Sequence, residues 1–124
     1  MEILDYEPAH EAELLALLSA EPQWSAFTSP GAIGLFRQAL QTSETYVCRD
    51  EGVICGYLRA LVDGFGIYIS ELYVAPSHRN RGLGRQLLAR LKQTHPGDAV
   101  YVLSDEDAYY EKLGFARVGS VFQL

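Results

Sequence analysis

The sequence has little that would support metal binding, export or membrane insertion. It contains only two cysteines, Cys48 and Cys55, and its three histidines show no ligand spacing with them, so we expect no metal site. It lacks an apolar run of transmembrane length and a secretory signal pattern, so we expect no membrane partner and a cytoplasmic location. Because thiols stay reduced there, two buried free cysteines are favoured over a cross-strand disulfide.

Basic residues are the minority, and they are unevenly placed. The chain has ten Lys and Arg against sixteen Asp and Glu, a net charge of −6, which argues against a nucleic-acid partner. Residues 79–92 contain no acid, yet they hold half of the basic residues. This cluster is either a solvated basic helix face or an anion-binding site, and in an acidic protein the second interpretation is favoured. The acidic remainder suits a cationic second substrate.

Length and composition indicate one domain. At 124 residues, 48% of them apolar, the chain is long enough to bury a core unaided, and we predict a single domain over residues 1–124. No repeat or linker divides it. Apolar periodicity and turn signals predict strands at 1–7, 45–49, 53–62, 67–74, 99–103 and 115–122, and helices at 9–19, 32–41, 82–94 and 105–113.

This order of elements predicts an α/β fold of the α+β type. Its centre is a mixed, mostly antiparallel sheet with flanking helices. A right-handed crossover through helix 82–94 makes strands 67–74 and 99–103 parallel. Ligands of such sheets bind at the carboxyl ends of strands, where neighbouring strands part.

The apolar pattern of strand 67–74 changes parity midway. Ile67 and Ile69 are odd-numbered, whereas Leu72 and Val74 are even-numbered. If all four face one side, the strand holds one extra residue, which is a β-bulge. The alternative is a strand buried on both faces, and the pattern alone favours neither.

The junction between this strand and helix 82–94 combines the features of an anion site. It includes two glycines, Gly82 and Gly84, where the helix begins, so a ligand can approach the backbone closely. The first helical turn offers unpaired N–H groups and the positive end of the helix dipole. The glycine spacing matches neither a dinucleotide-binding fingerprint nor a P-loop.

Three stretches of the chain resemble the GNAT superfamily of CoA-dependent N-acyltransferases. The stretch Arg-Asn-Arg-Gly-Leu-Gly at 79–84 is similar to its pyrophosphate-binding motif. The stretch 72–76 resembles its fourth strand, and 110–115 its Tyr-x-x-x-Gly-Phe signature. The order of elements is similar over nearly the whole chain. Asn80 departs from the motif, since many members have glycine there, but asparagine tolerates left-handed backbone angles.

The resemblance implies an N-acetyltransferase that moves an acetyl group from acetyl-CoA to a primary amine by direct attack in a ternary complex. It also implies a bulge in strand 67–74 and a splay between strands 67–74 and 99–103 that admits the cofactor. Tyr110 matches the general acid that protonates the departing thiolate. The residues implied in cofactor binding are Leu72, Tyr73, Val74, Arg79, Asn80, Arg81, Gly82, Leu83, Gly84 and Arg85.

The sequence leaves alternatives open for the general base, the acceptor pocket, the function and the sheet edge. Glu71 is the best candidate for the general base, although a solvated strand carboxylate is an equal interpretation. Trp24 and Phe27 lie where the family builds its acceptor pocket, yet packing under a loop is slightly favoured. A non-catalytic acyl-CoA-binding module is the rival function. Members commonly carry a further strand after the Gly-Phe signature, and we expect none here, so either the sheet edge is exposed or a partner chain supplies the strand in a homodimer.

Overall fold

The computed structural model describes residues 1–124 and contains five strands and five α-helices. Short 3₁₀ turns at Pro8–His10, Pro22–Trp24 and Pro76–His78 supplement the helices. None of the helices is long and apolar enough to cross a lipid bilayer. In chain order the elements are β1 (Glu2–Asp5), α1 (Glu11–Ser19), α2 (Ser25–Thr28), α3 (Ile33–Thr42), β2 (Glu44–Asp50), β3 (Val53–Val62), β4 (Ile67–Val74), α4 (Leu83–Thr94), β5 (Val100–Val102) and α5 (Asp107–Lys112).

The five strands form one sheet in the order of the sequence. Neighbours from β1 to β4 are antiparallel, whereas β4 and β5 are parallel and are connected through α4. This is the predicted mixed, mostly antiparallel sheet with flanking helices. The expected parallel pair is confirmed, because a helical crossover returns the chain in the same direction.

Two apolar cores cover the two faces of the sheet. Helix α4 packs on one face through four buried leucines at helical spacing, Leu83, Leu87, Leu88 and Leu91. Helices α1 and α3 cover the other face with Leu14, Leu18, Phe36 and Leu40. The site described below lies where β4 separates these two layers.

A β-bulge interrupts β4, as one of the two sequence interpretations held. Glu71 pairs with Arg59 but Ile69 pairs with Ala60, so Ser70 is an extra residue with no partner in β3. The two apolar pairs on either side of Ser70 therefore belong to the same core, the one under α4.

The two cysteines are free and buried, which confirms the expected thiol pair. Their sulfur atoms lie 3.5 Å apart inside the α4 core. Burial raises the pKa of Cys48 to about 12, so this thiol is not a nucleophile at neutral pH.

The predicted strand at 115–122 is wrong. Residues 113–124 form no helix or strand, and β5 remains the edge of the sheet. The physical reason is that the apolar residues of this segment occupy both odd and even positions, so they make no single strand face. Five of them are exposed: Phe115, Val118, Val121, Phe122 and Leu124. Gly114 follows the preceding helix with a φ of 90°, the left-handed conformation in which glycine commonly ends a helix.

Candidate active site

The loop before α4 presents a row of unpaired backbone donors. Asn80 and Gly82 have φ angles of 62° and 80°, which turn the chain sharply before α4 begins at Leu83. No backbone or side-chain acceptor in the protein receives a hydrogen bond from the amide N–H groups of residues 80–85. Six consecutive donors and the helix dipole form a site that suits a phosphate or pyrophosphate group.

The arginine side chains around this loop are mostly engaged elsewhere. The Arg79 Nε atom donates to the carbonyl oxygen of Val74 at 2.8 Å. Arg81 donates to Asp50 at 3.1 Å. Arg85 has no hydrogen bond or acidic partner. The free donor set is therefore the backbone, with Arg85 as the one arginine of the three whose side chain is available.

The sheet opens beside this loop. The parallel pairing of β4 with β5 stops at Ile69 and Val102, so the second half of β4 has no neighbour on that side. The predicted splay between these two strands is confirmed. An extended ligand can enter the gap and pair with the exposed strand edge.

Two residues of β4 direct their backbone groups into the gap. The Ala75 N–H donates to the Cys55 carbonyl of β3 at 2.7 Å. Because alternate residues of an antiparallel strand face the same neighbour, Tyr73 also turns its backbone groups towards β3. Leu72 and Val74 turn theirs to the open edge. Of the three β4 residues predicted to bind cofactor, the structure thus leaves the backbone of Leu72 and the N–H of Val74 available, whereas the Val74 carbonyl already accepts a hydrogen bond from Arg79.

Helix α5 places two tyrosines against the α4 core. Tyr110 is half-buried and packs on this core together with Leu113. Its hydroxyl makes no hydrogen bond within the protein, and burial raises the pKa of Tyr110 to about 12. The phenol is therefore protonated at neutral pH and free to donate. The neighbouring Tyr109 reaches Gly84 in the first turn of α4.

Glu71 is buried and ion-paired, in contrast to the solvated carboxylate of one sequence interpretation. It is only 6% exposed. Its Oε1 accepts hydrogen bonds from Arg59 Nε at 2.7 Å and from the Tyr57 hydroxyl at 3.1 Å, and its Oε2 accepts from Arg59 Nη2 at 2.6 Å. A carboxylate has about four acceptor directions, so one remains free, on Oε2.

Aromatic side chains fill the opposite face of the sheet at this level. The Trp24 ring lies 5.3 Å from Tyr73 and 5.8 Å from Tyr57, both in edge-on contact. Phe27 packs on Phe36 with ring centres 5.2 Å apart. These contacts belong to the second core, which agrees with the packing interpretation of Trp24 and Phe27.

The structure adds one carboxylate that the sequence pattern did not indicate. Glu21 lies in the turn-rich segment after α1 and accepts a hydrogen bond from the Tyr73 hydroxyl at 2.8 Å. It forms no ion pair with a basic group, unlike Glu71. The only signal in the sequence was its place beside Trp24 in a segment already suspected of facing the acceptor. Elsewhere, no group of three or more His, Cys, Asp or Glu side chains converges as a metal site requires.

Comparison with known proteins identifies the family. A sequence model described as the acetyltransferase (GNAT) domain matches residues 41–117, more than half of the chain. The chain belongs to the GNAT acetyltransferase family. It is therefore an N-acetyltransferase that uses acetyl-CoA, as the resemblance implied. No curated protein matches the GNAT chain in sequence.

Solved structures of GNAT enzymes share its fold. The aminoglycoside N-acetyltransferase AAC(6')-Iy, bound to a bisubstrate analogue of CoA, has a TM-score of 0.77 at 18% identity, over 99% of this chain and 95% of that chain. An aminoglycoside acetyltransferase from an uncultured soil metagenomic sample gives 0.75 at 25% identity, over 99% and 96%. The ribosomal-protein-alanine N-acetyltransferase of Brucella melitensis biovar Abortus 2308 gives 0.74 at 19% identity, over 100% and 97%.

Proposed function

We propose that this protein transfers the acetyl group of acetyl-CoA directly to a primary amine while both substrates are bound, with no acyl-enzyme intermediate. The observation that carries the proposal is the six unpaired amides of residues 80–85 beside the open edge of β4. These two surfaces suit the two parts of CoA, its pyrophosphate and its extended pantetheine arm. The cysteines take no part, since both are buried.

The cofactor is held mainly by backbone groups. Its pyrophosphate accepts hydrogen bonds from the amides of residues 80–85, and Arg85 adds a free positive charge. The pantetheine arm and the acetyl group pair with the edge formed by Leu72 and Val74. The Leu72 N–H, next to the bulge, donates to the oxygen on which negative charge develops. Loss of one such donor costs roughly 3 kcal/mol of transition-state stabilisation.

Attack requires the amine in its neutral form. A lysine-like amine has a pKa about three units above neutral pH, so on the order of one molecule in a thousand is unprotonated. We assign proton removal to Glu71, acting through a water molecule at the free acceptor direction of its Oε2. The carboxylate is already fixed by Arg59 and Tyr57, so it needs no reorganisation.

Tyr110 completes the reaction as the general acid. The amine nitrogen bonds to the thioester carbon, the carbon–sulfur bond breaks, and the electron pair leaves on sulfur. Tyr110 then gives its proton to this thiolate and regains one from the protonated amide nitrogen through water, so the single net proton released is the one that Glu71 took from the ammonium group. The raised pKa of Tyr110, about 12, keeps the phenol protonated until the thiolate forms.

We propose a small cationic amine as the acceptor class. Glu21 has no basic partner and lies at the end of the Tyr73 side chain, on the face of β4 away from α4. The net charge of −6 attracts cations. Two of the structural neighbours act on aminoglycosides, which carry several amino groups, and this likeness supports the same class.

We further propose that a second copy of the chain covers the β5 edge as a homodimer. Tyr68 and Tyr101 stack there with ring centres 5.6 Å apart, and they remain 51% and 41% exposed. An unpaired strand with exposed aromatic rings is a typical association surface. Sedimentation of the purified protein should report a dimer, and Tyr101→Lys should shift it to monomer. A wild-type monomer at micromolar concentration contradicts this part of the proposal.

The test of the enzyme is release of free CoA thiol from acetyl-CoA in the presence of an amine panel. The panel contains an aminoglycoside, a polyamine and a peptide with an N-terminal alanine. We expect acetyl-CoA to raise the melting temperature and at least one cationic amine to release thiol. An unchanged melting temperature with acetyl-CoA would contradict the proposed cofactor site. Stabilisation without turnover on any amine would indicate the non-catalytic acyl-CoA-binding module.

A further inference from the structure

One arginine of β3 holds both side chains of the bulge in β4. The Arg59 guanidinium donates from Nε and Nη2 to the two oxygens of Glu71, at 2.7 and 2.6 Å. The same Nη2 donates to Ser70 Oγ at 2.9 Å, and Nη1 donates to Ser43 Oγ at 3.0 Å. Arg59 therefore binds the extra residue of the bulge, the residue after it, and the end of α3.

Arg59 lies at the point in β3 where the register with β4 shifts. It pairs with Glu71 in register, and the register shift begins between Arg59 and Ala60. Its side chain is 11% exposed and that of Glu71 only 4%. Burial by itself lowers the pKa of Arg59, but the hydrogen bonds and charge of Glu71 outweigh it and raise the pKa, so the fork stays charged.

The bulge determines which backbone groups reach the cofactor gap. The extra Ser70 resets the alternation of β4, so that Leu72 and Val74 face the open edge and Tyr73 faces β3. A one-residue slip of an ordinary strand would exchange these directions. Whatever keeps Ser70 out of the ladder therefore keeps the Leu72 amide aimed at the gap.

We infer that Arg59 is a positioning residue for acetyl transfer, because its two hydrogen bonds to Glu71 and its one to Ser70 fix the bulge that aims the Leu72 amide at the thioester. This inference rests on the proposed function. Arg59 itself contacts neither the acetyl group nor the amine. It acts through the bulge and through the orientation of the Glu71 carboxylate.

Arg59→Lys tests the inference, because lysine keeps the charge but loses the planar fork. We expect kcat to fall about 10- to 100-fold, as a displacement near 1 Å does at a reacting centre. The KM for acetyl-CoA should change less than about threefold, since residues 80–85 bind most of the cofactor. Amide hydrogen exchange in residues 70–74, measured at Glu71 and Tyr73 whose backbone groups face β3, should accelerate at least about tenfold.

Matched controls separate this role from general stability. Arg37→Lys removes an arginine–carboxylate hydrogen bond at the surface, where Arg37 Nε donates to Glu11 Oε1 at 2.6 Å. It should leave kcat and exchange at residues 70–74 unchanged. Ser70→Ala should lower kcat more than Ser43→Ala, because only Ser70 belongs to the bulge. Equal kcat for wild type and Arg59→Lys, or unchanged exchange at residues 70–74, would overturn the inference.

A second variant and a readout that needs no acceptor amine complete the test of Arg59. If Arg59→Lys does not fold, Arg59→Gln with Glu71→Gln removes both buried charges together and avoids leaving one unpaired. The readout of this double variant is amide exchange and not kcat, because Glu71 is also the assigned base, and a folded double variant whose residues 70–74 keep wild-type protection contradicts the inference. Amide exchange also needs no acceptor. If no amine is acetylated, the proposed function fails while exchange at residues 70–74 still decides the role of Arg59.

Discussion

The Tyr109 hydroxyl occupies the space that a Cβ on Gly84 would need, at the second glycine of the loop that leads into α4. A Cβ on Gly84 would stand 2.4 Å from this oxygen and 3.8 Å from Val74 Cγ2. Helix α5, the first turn of α4 and the open edge of β4 therefore lie next to one another at Gly84. It also fixes the helix that carries Tyr110, whose ring lies 5.1 Å from that of Tyr109.

Gly84→Ala should weaken acetyl-CoA binding through this contact. The new methyl group forces Tyr109 away, since carbon and oxygen atoms do not approach to 2.4 Å. We expect about a tenfold rise in Kd for acetyl-CoA and a lower melting temperature. Adding Tyr109→Phe removes the clashing oxygen and should recover part of both losses. No recovery in the double variant would show that the cost arises elsewhere in α4.

Gly82→Ala should also weaken binding, but for a conformational reason. A Cβ at Gly82 meets nothing within 4 Å, yet its φ of 80° is strained for alanine by about 1–2 kcal/mol. Relief of that strain rotates the donors of residues 80–85. Arg85→Gln removes a charge and leaves the backbone intact. Calorimetry should give a larger loss of CoA affinity for Gly82→Ala, and the reverse order would assign the site to side chains.

Much of this fold could be predicted from short sequence patterns, because each of these features depends on residues that are close together in the sequence. The leucines of α4 recur at helical spacing, and all four are buried against the sheet. The parity change between Ile69 and Leu72 indicated an extra residue, which is Ser70. The free amides of residues 80–85 follow from glycines at a strand-to-helix junction, so the sequence also indicated the row of donors that we propose as the phosphate site.

The remaining features depend on pairings that no local pattern shows. Arg59 and Glu71 are 12 residues apart and meet only because of the β3–β4 register. Glu21 and Tyr73 are 52 residues apart. For this reason the sequence indicated Glu71 as the candidate base but not its ion pair with Arg59, and it did not indicate the contact between Glu21 and Tyr73.

Tyr110→Phe tests the general acid. Loss of the phenolic proton should lower kcat about 100-fold or more, with little change in the KM for acetyl-CoA. The wild-type rate requires the protonated phenol, so it should decline on account of Tyr110 only as the pH approaches about 12. An alkaline decline near pH 9 that persists in the Phe variant therefore belongs to another group. A Tyr110→Phe enzyme with full kcat removes the residue from the mechanism.

Glu21→Gln tests the acceptor site. Glu21 is the carboxylate beside Tyr73 without a basic partner, so its loss should raise the KM for a dicationic amine about fivefold to tenfold. Glu2→Gln removes the same charge from β1, at the opposite edge of the sheet from β5. It should leave the KM unchanged. Equal effects of the two variants would indicate that only the overall charge matters.

The pH dependence of stability provides a test of the contacts around Tyr46. Burial, together with a hydrogen bond to Glu44, raises the pKa of Tyr46 to about 12 from 10.0. A group whose pKa is raised by folding binds its proton more tightly in the native state. Its contribution is therefore complete below pH 10 and is lost as the pH rises towards 12. The free energy of unfolding should fall across this interval.

Tyr46→Phe isolates that contribution. Phenylalanine keeps the packing beneath Arg90 but has no proton to lose, so the alkaline decline should become shallower by up to one proton per molecule. Near pH 7 the variant should lose only about 1 kcal/mol, because Glu44 retains its contact with His95 at 2.7 Å. Urea unfolding at a series of pH values measures both effects. If variant and wild type decline with the same slope between pH 10 and 12, Tyr46 is not the titrating group.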